Sequence, residues 1–120
     1  MSEPFKIVEK DWGYEEWMSL TKDYCFKKIF IKKGHRTSLQ YHKEKEETNY
    51  ISSGKALVTL HVGVASKTLT LGEGEFIHLK PGDIHRFEAL EDLILLEASS
   101  IQVQDIVRLY DDYGRAGTSD

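Results

Sequence analysis

Gln40, His42, Glu47 and His85 are the residues of this chain whose types and spacing could do chemistry together. Gln40 and His42 stand two apart, so on an extended strand both side chains leave the same face, as two ligands to one ion require. Glu47 follows across the short turn Lys43 to Glu46 and enters from the next strand. His85 comes after the Pro81-Gly82 turn, opens a further strand and can approach the same point from across a barrel. Two imidazoles, a carboxylate and an amide oxygen suit one borderline or hard divalent ion such as Zn, Mn, Fe, Co or Ni. With no thiolate in the set, the ion is expected to keep open positions for water or substrate, which favours a catalytic or ligand-binding centre over a closed structural one. Glu44 also lies two residues from His42 and competes with Gln40 for a place among the ligands. His35, His61 and His78 stand alone, as surface or core histidines usually do, and are not assigned as ligands.

Positioning these groups takes strands. Segments rich in β-branched and aromatic residues recur at short intervals between Gly, Asn, Asp or Pro: Phe5 to Val8, Tyr24 to Ile31, Thr37 to His42, Thr48 to Ser52, Ala56 to Val62, Lys67 to Leu71, Glu75 to Leu79, Ile84 to Ala89, Leu93 to Ala98 and Asp105 to Leu109. The spacing predicts an all-β sandwich or barrel. In the Ala56 to Val62 segment, Ala56, Val58, Leu60 and Val62 share one face and Leu57, Thr59 and His61 the other, so the strand lies between a core and a more polar space. The one stretch with a hint of helical pattern, Leu20 to Asp23, is too short to stand alone. Gly34, Gly54, Gly74 and Gly82 read as turn positions and not as a phosphate cradle.

The chain has 120 residues, enough for one domain and one core, expected over 1–115 with a frayed tail at 116–120. Lys and Arg number 16 against 20 Asp and Glu, a formal charge of -4, so no broad basic surface is present to neutralise nucleic-acid phosphates. No run approaches the ~20 apolar residues of a membrane-spanning helix. The single cysteine, Cys25, makes no internal disulfide, and the start Met-Ser-Glu-Pro-Phe-Lys lacks the apolar stretch of a secretory signal, so a cytoplasmic location is expected.

The glycine spacing carries a resemblance. Gly34, five residues, Gln40-Tyr41-His42, four residues, Glu47, six residues and Gly54 form one segment, and Gly74, five residues and Lys80-Pro81-Gly82-Asp83-Ile84-His85 form a second. These resemble the cupin motifs G-x5-H-x-H-x4-E-x6-G and G-x5-P-x-G-x2-H at every spacing, with Gln40 in place of the first histidine and Lys80 in place of the first proline. The resemblance implies a cupin double-stranded β-helix, a jelly-roll barrel.

A Gln-x-His pair followed by Glu and a distant His is similar to the ligand set of phosphomannose isomerases. From Trp12-Gly13 through Ser38 to His42, Gly54-Lys55-Ala56 and Pro81 to Arg86, and on to the Asp105 to Arg115 stretch, the chain looks like the isomerase domain of type II mannose-6-phosphate isomerases. That family usually carries an arginine where this chain has Lys45, and a His-Trp pair where it has Thr48-Asn49.

The resemblance implies metal-dependent aldose-ketose isomerisation of a sugar phosphate, with Lys45 and Arg86 as candidate substrate contacts. Arg86 matches the family's His-Arg pair, but as the strand neighbour of His85 it has an outward-facing reading as well. Lys45, His61 and His78 are candidate general bases. A homodimer is expected, since open sheet edges invite pairing. The rival readings are a non-catalytic sugar or nucleotide-sugar binding module, and another cupin enzyme such as an iron dioxygenase or a sugar epimerase.

Overall fold

Alternation of buried and exposed side chains, residue by residue, shapes this protein. In the computed structural model, which describes residues 3–114 and the backbone of 117–118, the strands pair antiparallel throughout and there is no helix among the described residues. The first sheet contains β1 (Lys6–Lys10), β2 (Gly13–Leu20), β3 (Cys25–Ile31), β5 (Glu47–Ser53), β8 (Phe76–Leu79) and β10 (Leu93–Ser99), in the order β1-β2-β3-β10-β5-β8. The second contains β4 (Leu39–Tyr41), β6 (Lys55–Val62), β7 (Ala65–Gly72), β9 (Ile84–Ala89), β11 (Val107–Tyr110) and β12 (Gly117–Thr118), in the order β12-β11-β4-β9-β6-β7. The two inner faces enclose the core, in the all-β architecture expected from the strand spacing and the jelly roll implied by the cupin resemblance.

On β6, Ala56, Val58 and Leu60 are buried while Leu57, Thr59 and His61 are half-buried, as the period of two requires. Ile31, Ile51 and Leu93, all fully buried, close one end of the barrel from the first sheet. The same inner face then turns polar: Lys27, Glu47, Asn49 and Glu97 are as buried as the aliphatic residues beside them. One end of the barrel is therefore hydrophobic core and the other a lined cavity.

β2 was not among the expected strands. Its sequence, Gly-Tyr-Glu-Glu-Trp-Met-Ser-Leu, has no β-branched residue, yet it pairs with both β1 and β3, and tertiary pairing overrides its local preference. The hinted helix at Leu20 to Asp23 is instead a turn, in which Thr21 Oγ1 accepts the backbone N–H groups of Asp23 (3.0 Å) and Tyr24 (3.1 Å). Of the tail expected to fray, the backbone at Gly117–Thr118 pairs with β11. Residues 115–116 and 119–120 lie outside the described residues.

Gly54 joins β5 to β6 at φ +92°, and a Cβ there would sit 2.1 Å from the Asp92 carbonyl oxygen. Gly74 has a similar φ of +83° but open space around it. A Gly54→Ala change should therefore cost on the order of 3 kcal/mol in a denaturant titration, and Gly74→Ala about 1 kcal/mol. Equal losses at the two positions would show that the Asp92 carbonyl yields freely.

Candidate metal centre

The chain leaves β4 at Tyr41, turns through Lys43 to Glu46 and enters β5 at Glu47, passing from one sheet to the other. His42 and Glu47 therefore face each other across the barrel. His85 comes to the same place from β9, beside β4, where Gln40 and His85 are cross-strand partners. His42 Nε2 lies 2.8 Å and His85 Nε2 3.6 Å from Glu47 Oε1, and the two imidazole centroids are 5.5 Å apart. All three side chains are buried.

Two carbonyl contacts fix the imidazole tautomers. Nδ1 of His42 donates to the Asp105 carbonyl and Nδ1 of His85 to the Asp83 carbonyl (3.0 Å). A carbonyl oxygen only accepts, so each ring's proton sits on Nδ1 and each Nε2 offers a lone pair. His42 Nε2 and Glu47 Oε1 have no hydrogen-bond partner despite their close approach, because both are acceptors. Burial pushes the His85 pKa down, which keeps the ring neutral and fit to ligate. Burial alone would raise the Glu47 pKa, but the Lys45 ammonium is the largest of the influences that hold it well below the usual carboxylate range. Converging lone pairs with no proton between them are what a divalent cation fits, so His42, Glu47 and His85 form a group able to hold one.

Gln40 lines the same cavity, and its Oε1 accepts a 2.6 Å hydrogen bond from Ser38 Oγ. Glu44, its rival, is exposed on the turn and lines no part of the cavity. Lys45 is buried in the cavity with Nζ 3.1 Å from Glu97 Oε2. Burial opposes its charge, but Glu97 and Glu47 more than compensate, so its pKa is raised and it stays an ammonium. The structure does not bring Arg86 to this cavity. Its strand position turns it outward, where Nε donates to the Thr37 carbonyl (3.1 Å) and the guanidinium lies 5.5 Å from the Tyr110 ring centroid. His35, His61 and His78 also lie away from the cavity.

Several residues of the site carry no ligand motif. Asn49, fully buried, donates from Nδ2 to Glu47 Oε2 (3.0 Å) and so aims the other carboxylate oxygen at the imidazoles. Asp105 clamps the turn that bears the ligands: its carboxylate accepts the N–H groups of Lys43 (3.0 Å), Glu44 (2.6 Å) and Lys45 (3.0 Å). Gly82 N–H donates to the His42 carbonyl (2.7 Å), which ties the turn before His85 to the other ligand strand. Glu97, buried on β10, has its pKa pushed up to about 7 by burial and by the Glu47 charge, against the pull of Lys45 and Lys27. Asn49 was findable from its spacing of two after Glu47. Asp105 and Glu97 were not, because only the fold brings them to the site.

The cavity, of about 160 Å³, is lined by Lys6, Lys10, Lys27, Lys45 and Arg108 against Glu15, Glu47 and Glu97. Residues 2–112 match the family described as mannose-6-phosphate isomerase, C-terminal. The chain belongs to this family. Mannose-1-phosphate guanylyltransferase ManC of Salmonella typhimurium is 29% identical over 113 residues, 90% of this chain and 23% of ManC. Alginate biosynthesis protein AlgA of Pseudomonas aeruginosa is 31% identical over the same shares of the two chains. The chain thus spans about a quarter of the length of the curated relatives it matches, 23% in each case.

Among solved structures, oxalate decarboxylase of Bacillus subtilis superposes with a TM-score of 0.79 at 21% identity, covering 87% of this chain and 30% of that one. KdgF from Halomonas sp. does so with a TM-score of 0.72 at 17% identity, covering 81% and 88%. These likenesses place the fold among the cupins.

Replacing Asp105 by Ala should free the ligand turn and weaken binding of a divalent ion by about 10- to 100-fold in calorimetric titration. Unchanged affinity would show that the turn holds its shape without the carboxylate.

Proposed function

We infer that this chain is a metal-dependent aldose-ketose isomerase of a phosphorylated sugar, with mannose 6-phosphate the first substrate to test. The observation that carries the reading is the convergence of His42, His85 and Glu47 on one point inside a cavity where basic side chains outnumber carboxylates five to three. The family's description supports the sugar, and so does the name of the relative ManC.

A divalent ion held by His42, Glu47 and His85, with Gln40 beside them, supplies Lewis-acid polarisation of a sugar carbonyl and its neighbouring hydroxyl. The protein's own groups do the rest. Lys6, Lys10 and Arg108 give the cavity a positive field for a phosphoryl group, and the Arg108 guanidinium matches phosphate geometry by paired donors. Arg86, a candidate for such a contact with an outward-facing alternative, takes the outward position.

Isomerisation also needs a group that takes a proton from one carbon and returns it to the next. Lys45 is held protonated by its carboxylate neighbours, and His61 and His78 face elsewhere. Of the cavity carboxylates other than Glu47, Glu97 is the one whose pKa burial and the Glu47 charge push up to about 7, into the range of a group that can both take and return a proton. Lys45 Nζ, 3.1 Å away, fixes its orientation. Glu97 is accordingly assigned the proton transfer.

A coupled assay of mannose 6-phosphate turnover, with metal content measured on the same sample, tests this. Glu97→Gln should keep its metal and lose about 10²- to 10⁴-fold in turnover. His85→Ala should lose both, and full activity in a metal-free His85→Ala protein refutes the mechanism. A metal-loaded protein that binds the sugar phosphate without turning it over would establish the non-catalytic binding module instead.

A further inference from the structure

A row of paired residues crosses the inner face of the first sheet. Lys6 of β1 is opposite Trp17 of β2, Trp17 opposite Lys27 of β3, Lys27 opposite Glu97 of β10, and Glu97 opposite Asn49 of β5, which holds the ligand Glu47. All five line the cavity. The row therefore leads from the metal centre to the sheet edge at β1, and its chemistry changes on the way. Glu97 is engaged by Lys45 at 3.1 Å. Beyond it stand two ammonium groups and one indole, with Lys6 Nζ 4.6 Å and Lys27 Nζ 4.0 Å from the Trp17 ring centroid.

An indole face attracts an ammonium through the ring quadrupole and occupies no lone-pair contact, so a lysine resting on it keeps N–H donors to give. Lys27 is 5% exposed, and among the described residues the one oxygen that its three donors reach is Glu15 Oε1, at 3.5 Å. A buried ammonium bonded so thinly is costly unless a further anion completes its shell. Lys6 stands at the exposed mouth, against the same ring. Glu15 also accepts the Trp17 indole N–H (3.0 Å) and so fixes the ring. Two cations against this one carboxylate leave positive charge for a guest, and Arg108 adds to it from the second sheet.

Distance from the reacting carbons identifies the part of the guest that arrives here. Neighbouring strands lie about 4.8 Å apart, so Trp17, two strands from Glu97, is roughly 10 Å away along the row. With bonds of about 1.5 Å, the phosphorus of an open-chain hexose 6-phosphate lies on the order of 8 Å from C2. A sugar with C1 and C2 at Glu97 thus brings its phosphoryl group to the two lysines.

We propose that Lys6 and Lys27, held against the Trp17 ring, form the subsite for the phosphoryl group and separate a phosphorylated sugar from the free one, with Trp17 as the positioning residue. This assignment rests on the sugar-phosphate reading of the cavity.

Calorimetric titration of the metal-loaded protein with mannose 6-phosphate, and separately with inorganic phosphate, tests the subsite. The unaltered protein should bind both. Lys6→Gln and Lys27→Gln should each weaken both by at least about tenfold, the loss of one charge-assisted hydrogen bond, at unchanged metal content. Lys6→Arg keeps the cation and should restore most of the affinity. Trp17→Leu leaves both ammonium groups but no longer holds them, and should weaken both probes about 2- to 30-fold. Should Lys27→Gln fail to fold, Lys6→Gln at the exposed mouth carries the test. Unchanged affinity in Lys6→Gln overturns the subsite even where mannose 6-phosphate is turned over, which leaves the isomerase intact. A loss confined to mannose 6-phosphate overturns it too, because Lys6 would then contact the sugar, and so does an unaltered protein that binds neither probe. The tenfold losses in a protein that binds the sugar phosphate without converting it uphold the subsite and refute the isomerase.

Discussion

Lone pairs from opposite sheets, aimed at one another where nothing else can satisfy them, are the constraint around which this barrel is arranged. His42 and His85 belong to one sheet and Glu47 to the other, so the centre is a point of contact between two layers otherwise joined by loops and apolar packing. An uncompensated buried carboxylate is costly, and without a cation the two imidazoles offer it only further lone pairs. A bound ion would bridge the sheets and supply the opposite charge at the same place. Stability and function are therefore coupled through the same three side chains.

The electrostatics of the first sheet's inner face extend this arrangement. Glu15, Lys27, Glu97, Lys45 and Glu47 occupy neighbouring positions of alternating charge, with Lys27 3.5 Å from Glu15 and Lys45 3.1 Å from Glu97. Each ammonium has a carboxylate to hold, and the Lys27 ammonium also lies 4.0 Å from the Trp17 ring centroid. Such a network is seldom the most stable way to fill a barrel, since apolar residues of similar volume often serve as well. Its retention in the half of the barrel that holds the ligands, while Ile31, Ile51 and Leu93 fill the other, fits a space kept for a polar guest.

Much of this was legible in the residues. Period-two alternation and turn glycines mark most of the strands, and the distances from Gly34 to Gly54 and from Gly74 to His85 mark the segments that carry the ligands. Local rules failed where pairing decides: β2 carries Glu15, Glu16 and two aromatic residues with no β-branched one, and only its neighbours make it a strand. They also failed for side chains whose partners are distant in sequence. Glu97 meets Lys45 across 52 positions, and Asp105 meets the ligand turn across about 60. Arg86 shows the reverse case, in which adjacency to a ligand on a strand places a residue on the opposite face.

The clamp at Asp105 has a consequence for the order in which the protein matures. The turn between β4 and β5 takes its shape from hydrogen bonds to a residue made after β10, and the His42 ring is oriented by that residue's carbonyl. A chain still on the ribosome can pair its early strands, but it has no finished ligand set until the segment around Asp105 has emerged and docked. An ion held by His42, Glu47 and His85 would then be captured last, by a barrel that is already closed.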